Sequence, residues 1–197
     1  MRPSIALVSP TVIVGNTVSA TATVDDATYT MAAPFALSFY GASSTNIVVS
    51  ANGLLGISPV TTAYSNVALP VYSDLANGVA AFWDDLYINT GYPQGIFYRS
   101  EGTSPNRTLT FEWYVTHYQA LTTYAHFLVA FYEVCCPETF ECLKQPYLIL
   151  SKALPNWVTL DYLNVTDSGV GATVGIESSS GEHTISPAGK HTLLTIP

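Results

Sequence analysis

Hydrophobic and polar residues alternate with a period of two along residues 109–118. One face of this stretch would carry its apolar residues, Leu109, Phe111, Trp113 and Val115. Such alternation is typical of a strand that packs one face against a core and turns the other face outward. Residues 126–134 are almost all apolar, which predicts a central strand covered on both faces. We expect these two strands to pair as a hairpin across a loop at 119–125.

Short apolar runs recur every eight to twelve residues or so between turn-forming residues along most of the chain. This spacing predicts an all-β fold, an antiparallel, jelly-roll-like β-sandwich with at most one or two short helical turns. The best helical signal is at 71–79, beginning near Ser73. Asn52-Gly53 predicts a type I′ turn between strands at 46–50 and 54–57, because both residues accept positive φ. Further strands are predicted at 147–150, 157–160, 172–176 and 191–196.

Composition narrows the classes of partner. The chain has 197 residues, of which 10% are charged, and its net charge is −8. This length fits a single domain over residues 1–197. With only 6 Lys and Arg, a nucleic-acid partner is not expected, nor is docking to an anionic membrane surface. The sequence also has no uninterrupted apolar run of about 18 residues, so membrane insertion is not expected.

Acceptor triplets for N-glycosylation favour a secreted glycoprotein, whereas the cysteines leave several states open. Asn106 and Asn164 each begin an acceptor triplet for N-glycosylation. The three cysteines, Cys135, Cys136 and Cys142, lie close together without the second ligand pair of a zinc site. Cys142 bonded to either neighbour, a bridge between the adjacent pair, and reduced thiols all remain open.

A series of motifs runs in a recognisable order through the middle of the chain. The motifs are Phe39-Tyr40-Gly41, residues 46–53, residues 81–86 (Ala-Phe-Trp-Asp-Asp-Leu), residues 95–99, residues 108–113, residues 127–133 and Val174-Gly175-Ile176-Glu177. In this order they resemble the NIDO (nidogen-like) domain of secreted and cell-surface proteins of fungi, bacteria and animals. The resemblance covers residues 34–179. Residues 1–33 have no clear counterpart, and Cys135-Cys136 departs from the pattern.

The resemblance implies an extracellular β-sandwich that serves as a module in adhesion, matrix or cell-wall proteins, usually without catalysis. It therefore implies secretion, or a place at the cell surface or cell wall.

Residues 83–86, Trp-Asp-Asp-Leu, hold the best candidate for chemistry. On a strand, one of Asp84 and Asp85 would face an apolar side, where a carboxylate needs donors or a cation. Asp84, Asp85 and the amide of Asn89 are hard oxygen donors of the kind that Ca²⁺ prefers. Calcium is therefore a candidate cofactor, and the alternative is that an aspartate caps a loop or accepts backbone N–H groups.

Tyrosines cluster in the middle third of the chain. Tyrosine combines a flat apolar face with a polar tip, which suits both sugar rings and protein interfaces. Loops at one end of a sandwich are where such folds present binding residues. We expect Trp83, Tyr87, Asn89 and Tyr92 to contact a ligand, although many tyrosines in such a fold only fill half-buried strand positions.

The sequence thus predicts a non-catalytic extracellular recognition or adhesion module that binds a surface or cell-wall glycan or a protein partner. One alternative is a glycoside hydrolase in which Glu112 and Glu133 act as acid and base. Another is a structural wall or coat protein that associates with itself through exposed apolar edges.

Overall fold

The computed structural model describes residues 5–15, 23–71, 74–133, 157–165, 171–181, 183–185 and 192–195. These residues form strands and contain no helix. In chain order the strands are β1 (Thr11–Gly15), β2 (Thr28–Phe39), β3 (Ala42–Ser50), β4 (Leu54–Gly56), β5 (Gly78–Trp83), β6 (Leu86–Tyr87), β7 (Gly95–Glu101), β8 (Thr108–His117), β9 (Ala120–Tyr132), β10 (Trp157–Val165), β11 (Thr173–Glu177), β12 (His183–Ile185) and β13 (Thr192–Thr195).

The strands form two antiparallel sheets. The first sheet has the order β1-β7-β8-β9-β10-β13, and the short strand β6 also pairs with β8. The second sheet has the order β12-β11-β5-β4-β3-β2. One hydrophobic core contains buried residues from both sheets. The architecture is therefore the predicted β-sandwich.

Strands β8 and β9 confirm the alternating pattern. The four apolar residues of β8, from Leu109 to Val115, are fully buried in the core. The predicted loop at 119–125 is wrong, because β9 begins at Ala120 after a two-residue turn. Gln119 adopts a φ of 53° in this turn, and that left-handed conformation allows the chain to reverse directly.

Aromatic side chains join the two sheets. Phe82 of the second sheet lies 5.5 Å from Phe127 of the first, between ring centroids. Phe39 meets Phe131 edge-on at 6.0 Å. The indole Nε1 of Trp113 crosses the sandwich and donates to the Ser50 carbonyl at 3.0 Å. Each such buried aromatic contributes roughly 1.5–3 kcal/mol through burial alone, so these residues hold the sheets together.

A second, smaller core lies under the long connection between β4 and β5. It comprises Leu54, Val60, Leu69, Leu75, Ala80 and Trp83. Within the connection, residues 74–77 form an extended bridge and a turn rather than the predicted helical turn, and β5 begins at Gly78. Residues 72 and 73 lie outside the described residues.

The Asn52-Gly53 hairpin forms, but its turn is not type I′. Only Gly53 has a positive φ, of 79°, whereas a type I′ turn requires positive φ at both central residues. A Cβ on Gly53 would lie 2.1 Å from the Phe82 carbonyl oxygen. The close approach of β5 therefore shapes this turn, and glycine is required there.

The later strand predictions have mixed outcomes. Strands at 157–160, 172–176 and 191–196 appear, with shifted ends, as β10, β11 and β13. The predicted strand at 147–150 lies outside the described residues.

Candidate binding site at one end of the sandwich

Two aspartate pairs come together where the chain crosses from one sheet to the other. Asp84 and Asp85 lie between β5 of the second sheet and β6 of the first. Asp25 and Asp26 lie just before β2. An isolated bridge between Val24 and Ile88, with N···O distances of 3.0 and 3.1 Å, brings the two segments side by side. The end of the sandwich that carries them is called here the acidic end.

Three of these aspartates form a compact group. Asp25, Asp26 and Asp85 each place one carboxylate oxygen so that all three oxygens lie within 4.8 Å of one another. Asp25 and Asp26 are exposed, and Asp85 is half-buried. Oxygen-rich groups of this kind are the donors that hard divalent cations prefer.

Partial burial, together with the crowding of like charges, raises the pKa of two of the carboxyls. Partial burial is the main cause of the raised pKa of Asp85, followed by repulsion from Asp25, Asp26 and Asp84, while His117 opposes the shift. The pKa of Asp25 is raised by partial burial first and by Asp26 second, against a backbone hydrogen bond that lowers it. The ionised carboxylates of this group therefore repel one another at neutral pH.

Asn52 ties the two aspartate segments to the body of the fold. Its fully buried amide donates from Nδ2 to Asp26 Oδ1 at 2.8 Å and to the Thr62 carbonyl at 3.1 Å. Its Oδ1 accepts the N–H of Leu86 at 3.1 Å. The sequence signalled Asn52, Asp25 and Asp26 only as turn residues, so their place in the site was missed.

Asp84 has different neighbours from its chain neighbour Asp85. Its Oδ2 lies 3.5 Å from His117 Nδ1, and its Oδ1 accepts the Asp85 N–H at 2.8 Å. The predicted pairing of Asp84 with Asp85 is thus replaced by a group in which Asp85 faces Asp25 and Asp26. Asp84 accepts a backbone N–H, as the alternative interpretation expects, and its part in metal binding stays a prediction.

An aromatic pair flanks the carboxylates. The rings of Tyr87 and Tyr118 pack edge to face with centroids 5.4 Å apart. The Tyr118 N–H donates to the Asp85 carbonyl at 2.9 Å, which fixes the β8–β9 turn beside the acidic group. Tyr118 is 42% exposed and Leu121 is 47% exposed, so the turn offers an apolar surface next to the charges.

The predicted ligand contacts have different surroundings. Trp83 is fully buried under the β4–β5 connection and donates from Nε1 to the Ala63 carbonyl at 2.9 Å, which does not favour the predicted ligand contact. Asn89 donates from Nδ2 to Gln94 Oε1 and Thr116 Oγ1, at 3.1 and 2.7 Å, which makes it a support for its loop. Tyr87 and Tyr92 are both partly exposed.

The structure does not bring Glu112 and Glu133 together. Glu112 pairs in register with Leu128, so Glu133 lies five residues further along, about 16 Å at the usual rise of a strand. Paired carboxylates of glycoside hydrolases are about 5 to 9.5 Å apart. Glu133 is also held by Arg107, whose Nε lies 2.6 Å from Glu133 Oε2. The hydrolase geometry is therefore not met.

The predicted modification sites are only partly described. Asn106 is exposed in the turn before β8. Asn164 lies in β10, and nothing is described of its side chain. Cys135, Cys136 and Cys142 lie outside the described residues.

Comparison with known proteins identifies the family. The sequence model of the family described as NIDO related matches residues 9–135, which is more than half of the chain. The chain belongs to the NIDO-related family. No curated protein and no solved structure matches it.

The family match shifts the expected boundaries. It begins 25 residues before the expected start at residue 34, so it includes most of the segment that we could not place, with Asp25 and Asp26. It ends at Cys135, ahead of β10 to β13. The NIDO-related family suggests an extracellular module. The described residues form no helix that is long and apolar enough to cross a membrane.

Proposed function

We propose that this chain is a non-catalytic extracellular recognition module that binds a surface glycan or a protein partner at its acidic end. The observation that carries the proposal is the group of Asp25, Asp26 and Asp85 beside the exposed Tyr118. Acidic and aromatic surfaces side by side supply both polar and stacking contacts to a sugar or a protein loop. Family membership supports the extracellular setting.

The charge distribution supports binding at this end. Among the described residues, the lysine and arginine side chains are Arg99 and Arg107, and each is engaged by a glutamate, Glu101 and Glu133 respectively. Neither arginine is paired with the aspartates, so the negative charge of the acidic end is available to a cation or a cationic ligand.

A divalent cation, with Ca²⁺ as the first candidate, would relieve the repulsion in this group. Asp25, Asp26 and Asp85 would supply its protein oxygens, and open positions would remain for ligand hydroxyls, since Ca²⁺ takes six to eight oxygens. In this proposal Tyr87 and Tyr118 form the neighbouring platform. Tyr92, on the loop between β6 and β7, remains a proposed contact at the rim.

The test is a glycan array probed with labelled protein, in calcium and again in chelator. We expect selective binding that is lost in chelator and lost in Asp85→Asn. The matched control is Glu101→Gln, which removes one charge at the other end of the first sheet and is expected to bind as the wild type does. Binding that survives both chelator and Asp85→Asn would overturn the proposal that a divalent cation takes part in binding.

The aromatic platform is tested separately. Tyr118→Ala is expected to weaken binding by about tenfold or more, because one stacked aromatic is worth about 1–2 kcal/mol. The fold is expected to persist, since Tyr118 lies in an exposed turn. Unchanged binding by Tyr118→Ala together with Asp85→Asn would exclude the acidic end as the binding surface. If the array is blank, the same variants are tested against extracellular protein ligands.

A further inference from the structure

The outer face of the first sheet, which points away from the core, carries a buried polar pair. In antiparallel register Phe97 lies opposite Glu112, and Tyr114 lies opposite His126. All four side chains are at most 3% exposed, although the alternation turns them away from the core. We call this set the outer-face groove. Its burial requires cover from other parts of the chain.

Residues 5–8, called here the strap, supply cover over Glu112. The Ala6 N–H donates to Glu112 Oε1 at 2.6 Å, and the Leu7 N–H donates to Oε2 at 2.9 Å. His126 Nε2 lies 2.7 Å from Oε1 of the same carboxylate. The guanidinium of Arg99 donates to the Val8 carbonyl. Glu112 and Arg99 thus hold the strap in place through hydrogen bonds to its backbone.

The side chains of the strap contribute less than its backbone to holding it in place. Val8 is 71% exposed, and Ala6 is exposed as well. Ile5 and Leu7 are only half-buried. The backbone hydrogen bonds that hold the strap would form equally well with the strap of another copy of the chain.

The chain must turn sharply to lay the strap on its own groove. Strand β1 pairs with β7 from Thr11 onward, but the residues before it leave the sheet edge and cross the outer face. Ser9 adopts a φ of 50° at this point, a conformation that is uncommon for a residue other than glycine. An extended Ser9 would carry the strap away from its own groove and remove this strain.

We propose that the strap exchanges between two copies of this chain, so that each Glu112 receives the Ala6 and Leu7 amides of the other copy. The complementarity is already present, since the seated strap shows that this peptide fits this groove. The attached strap competes at an effective concentration of about millimolar, so the wild type exchanges only where copies are densely packed. This proposal does not depend on ligand binding at the acidic end.

A matched pair of substitutions at Ser9 tests the exchange. Ser9→Pro cannot adopt a positive φ, so it disfavours the closed strap, whereas Ser9→Gly accepts that conformation without strain. Sedimentation equilibrium is measured over a concentration series for both variants and the wild type. We expect Ser9→Pro to dimerise at a concentration at least about tenfold lower than the wild type, and Ser9→Gly to require a higher one. A Ser9→Pro variant that stays monomeric at every concentration overturns the proposal.

The second step asks whether the dimer uses the strap amides. Ala6→Pro and Leu7→Pro remove the two N–H donors and leave the side chains of the groove unsubstituted. Added together to Ser9→Pro, they are expected to abolish the dimer. A dimer that persists in the triple variant would place the interface elsewhere and would also overturn the proposal.

A peptide assay keeps the test decisive if Ser9→Pro does not fold. A labelled synthetic peptide with the sequence of residues 4–11 is titrated onto the Ala6→Pro/Leu7→Pro chain, whose groove has lost its resident donors. Saturable binding is expected. The same peptide methylated on the Ala6 and Leu7 nitrogens is expected to bind at least about tenfold more weakly. No binding, or equal binding of the two peptides, contradicts the exchange.

Discussion

The two carboxylate sites of this sandwich, Glu112 and the group of Asp25, Asp26 and Asp85, have opposite surroundings. Glu112 is fully buried, and both of its oxygens accept hydrogen bonds from named partners. Asp25, Asp26 and Asp85 lie close together at the surface and repel one another. A buried carboxylate with its acceptors filled contributes to stability, whereas a crowded exposed group costs stability and leaves capacity for a ligand. The acidic end is therefore the better candidate for binding.

The largest effect is expected at the buried site. Glu112→Ala should lower the free energy of unfolding by about 3 kcal/mol or more, because it removes the partner of the buried His126 ring and the acceptor of two part-buried backbone N–H groups. Urea unfolding measures the change. Thr110→Ala, half-buried on the same face, is the control and should cost much less. A loss below about 1 kcal/mol for Glu112→Ala would mean that water replaces the carboxylate readily.

Asn52 provides the next largest effect, because it links the acidic end to the fold. Asn52→Ala should cost about 2–3 kcal/mol, since it leaves the Leu86 N–H and the Thr62 carbonyl without their partner. Asn52→Asp keeps the shape but sets a further carboxylate against Asp26. We expect Asn52→Asp to recover stability as pH falls, and Asn52→Ala not to do so. Parallel urea titrations at neutral and acidic pH distinguish the two.

The sequence allowed the sandwich to be predicted because strand periodicity is a local signal. The β8 pattern from Leu109 to Val115 was sufficient to assign its buried face. Local periodicity does not say which loops meet, so the distance between Asp25 and Asp85 could not be predicted. That distance depends on the bridge between Val24 and Ile88, a pairing of residues 64 positions apart.

Trp83 and Glu112 show why exposure was also hard to predict. Alternation placed both on faces directed away from the shared core, where solvent is the usual neighbour. The β4–β5 connection covers Trp83, and the strap contacts Glu112. Such cover comes from irregular segments whose path has no periodic signal in the sequence.

A smaller effect of opposite sign is expected at the acidic end. Asp85→Asn should raise the free energy of unfolding at neutral pH, by less than about 1 kcal/mol given its partial exposure. The folded protein raises the pKa of this acid, so its ionisation destabilises the fold as pH rises above the ordinary value of 3.8. The gain should therefore disappear under acidic conditions. Thermal melts at several pH values test this, and a loss of stability at neutral pH would contradict the repulsion.

The smallest effect separates a paired, half-buried carboxylate from the crowded group. Arg107 hydrogen bonds lower the pKa of Glu133 from 4.5 to about 2. Since this pKa is lowered in the folded state, the ionised form stabilises the fold above pH 4.5, and that contribution is lost as pH falls through about 2. Glu133→Gln should thus be less stable than the wild type at neutral pH and equal to it at the acidic limit.

Glu101→Gln, at a more exposed ion pair, is the control and should show a weaker pH dependence. Because Asp85→Asn and Glu133→Gln shift stability at neutral pH in opposite directions, thermal melts of the two variants over one pH series separate repulsion from pairing, and parallel curves would refute the contrast.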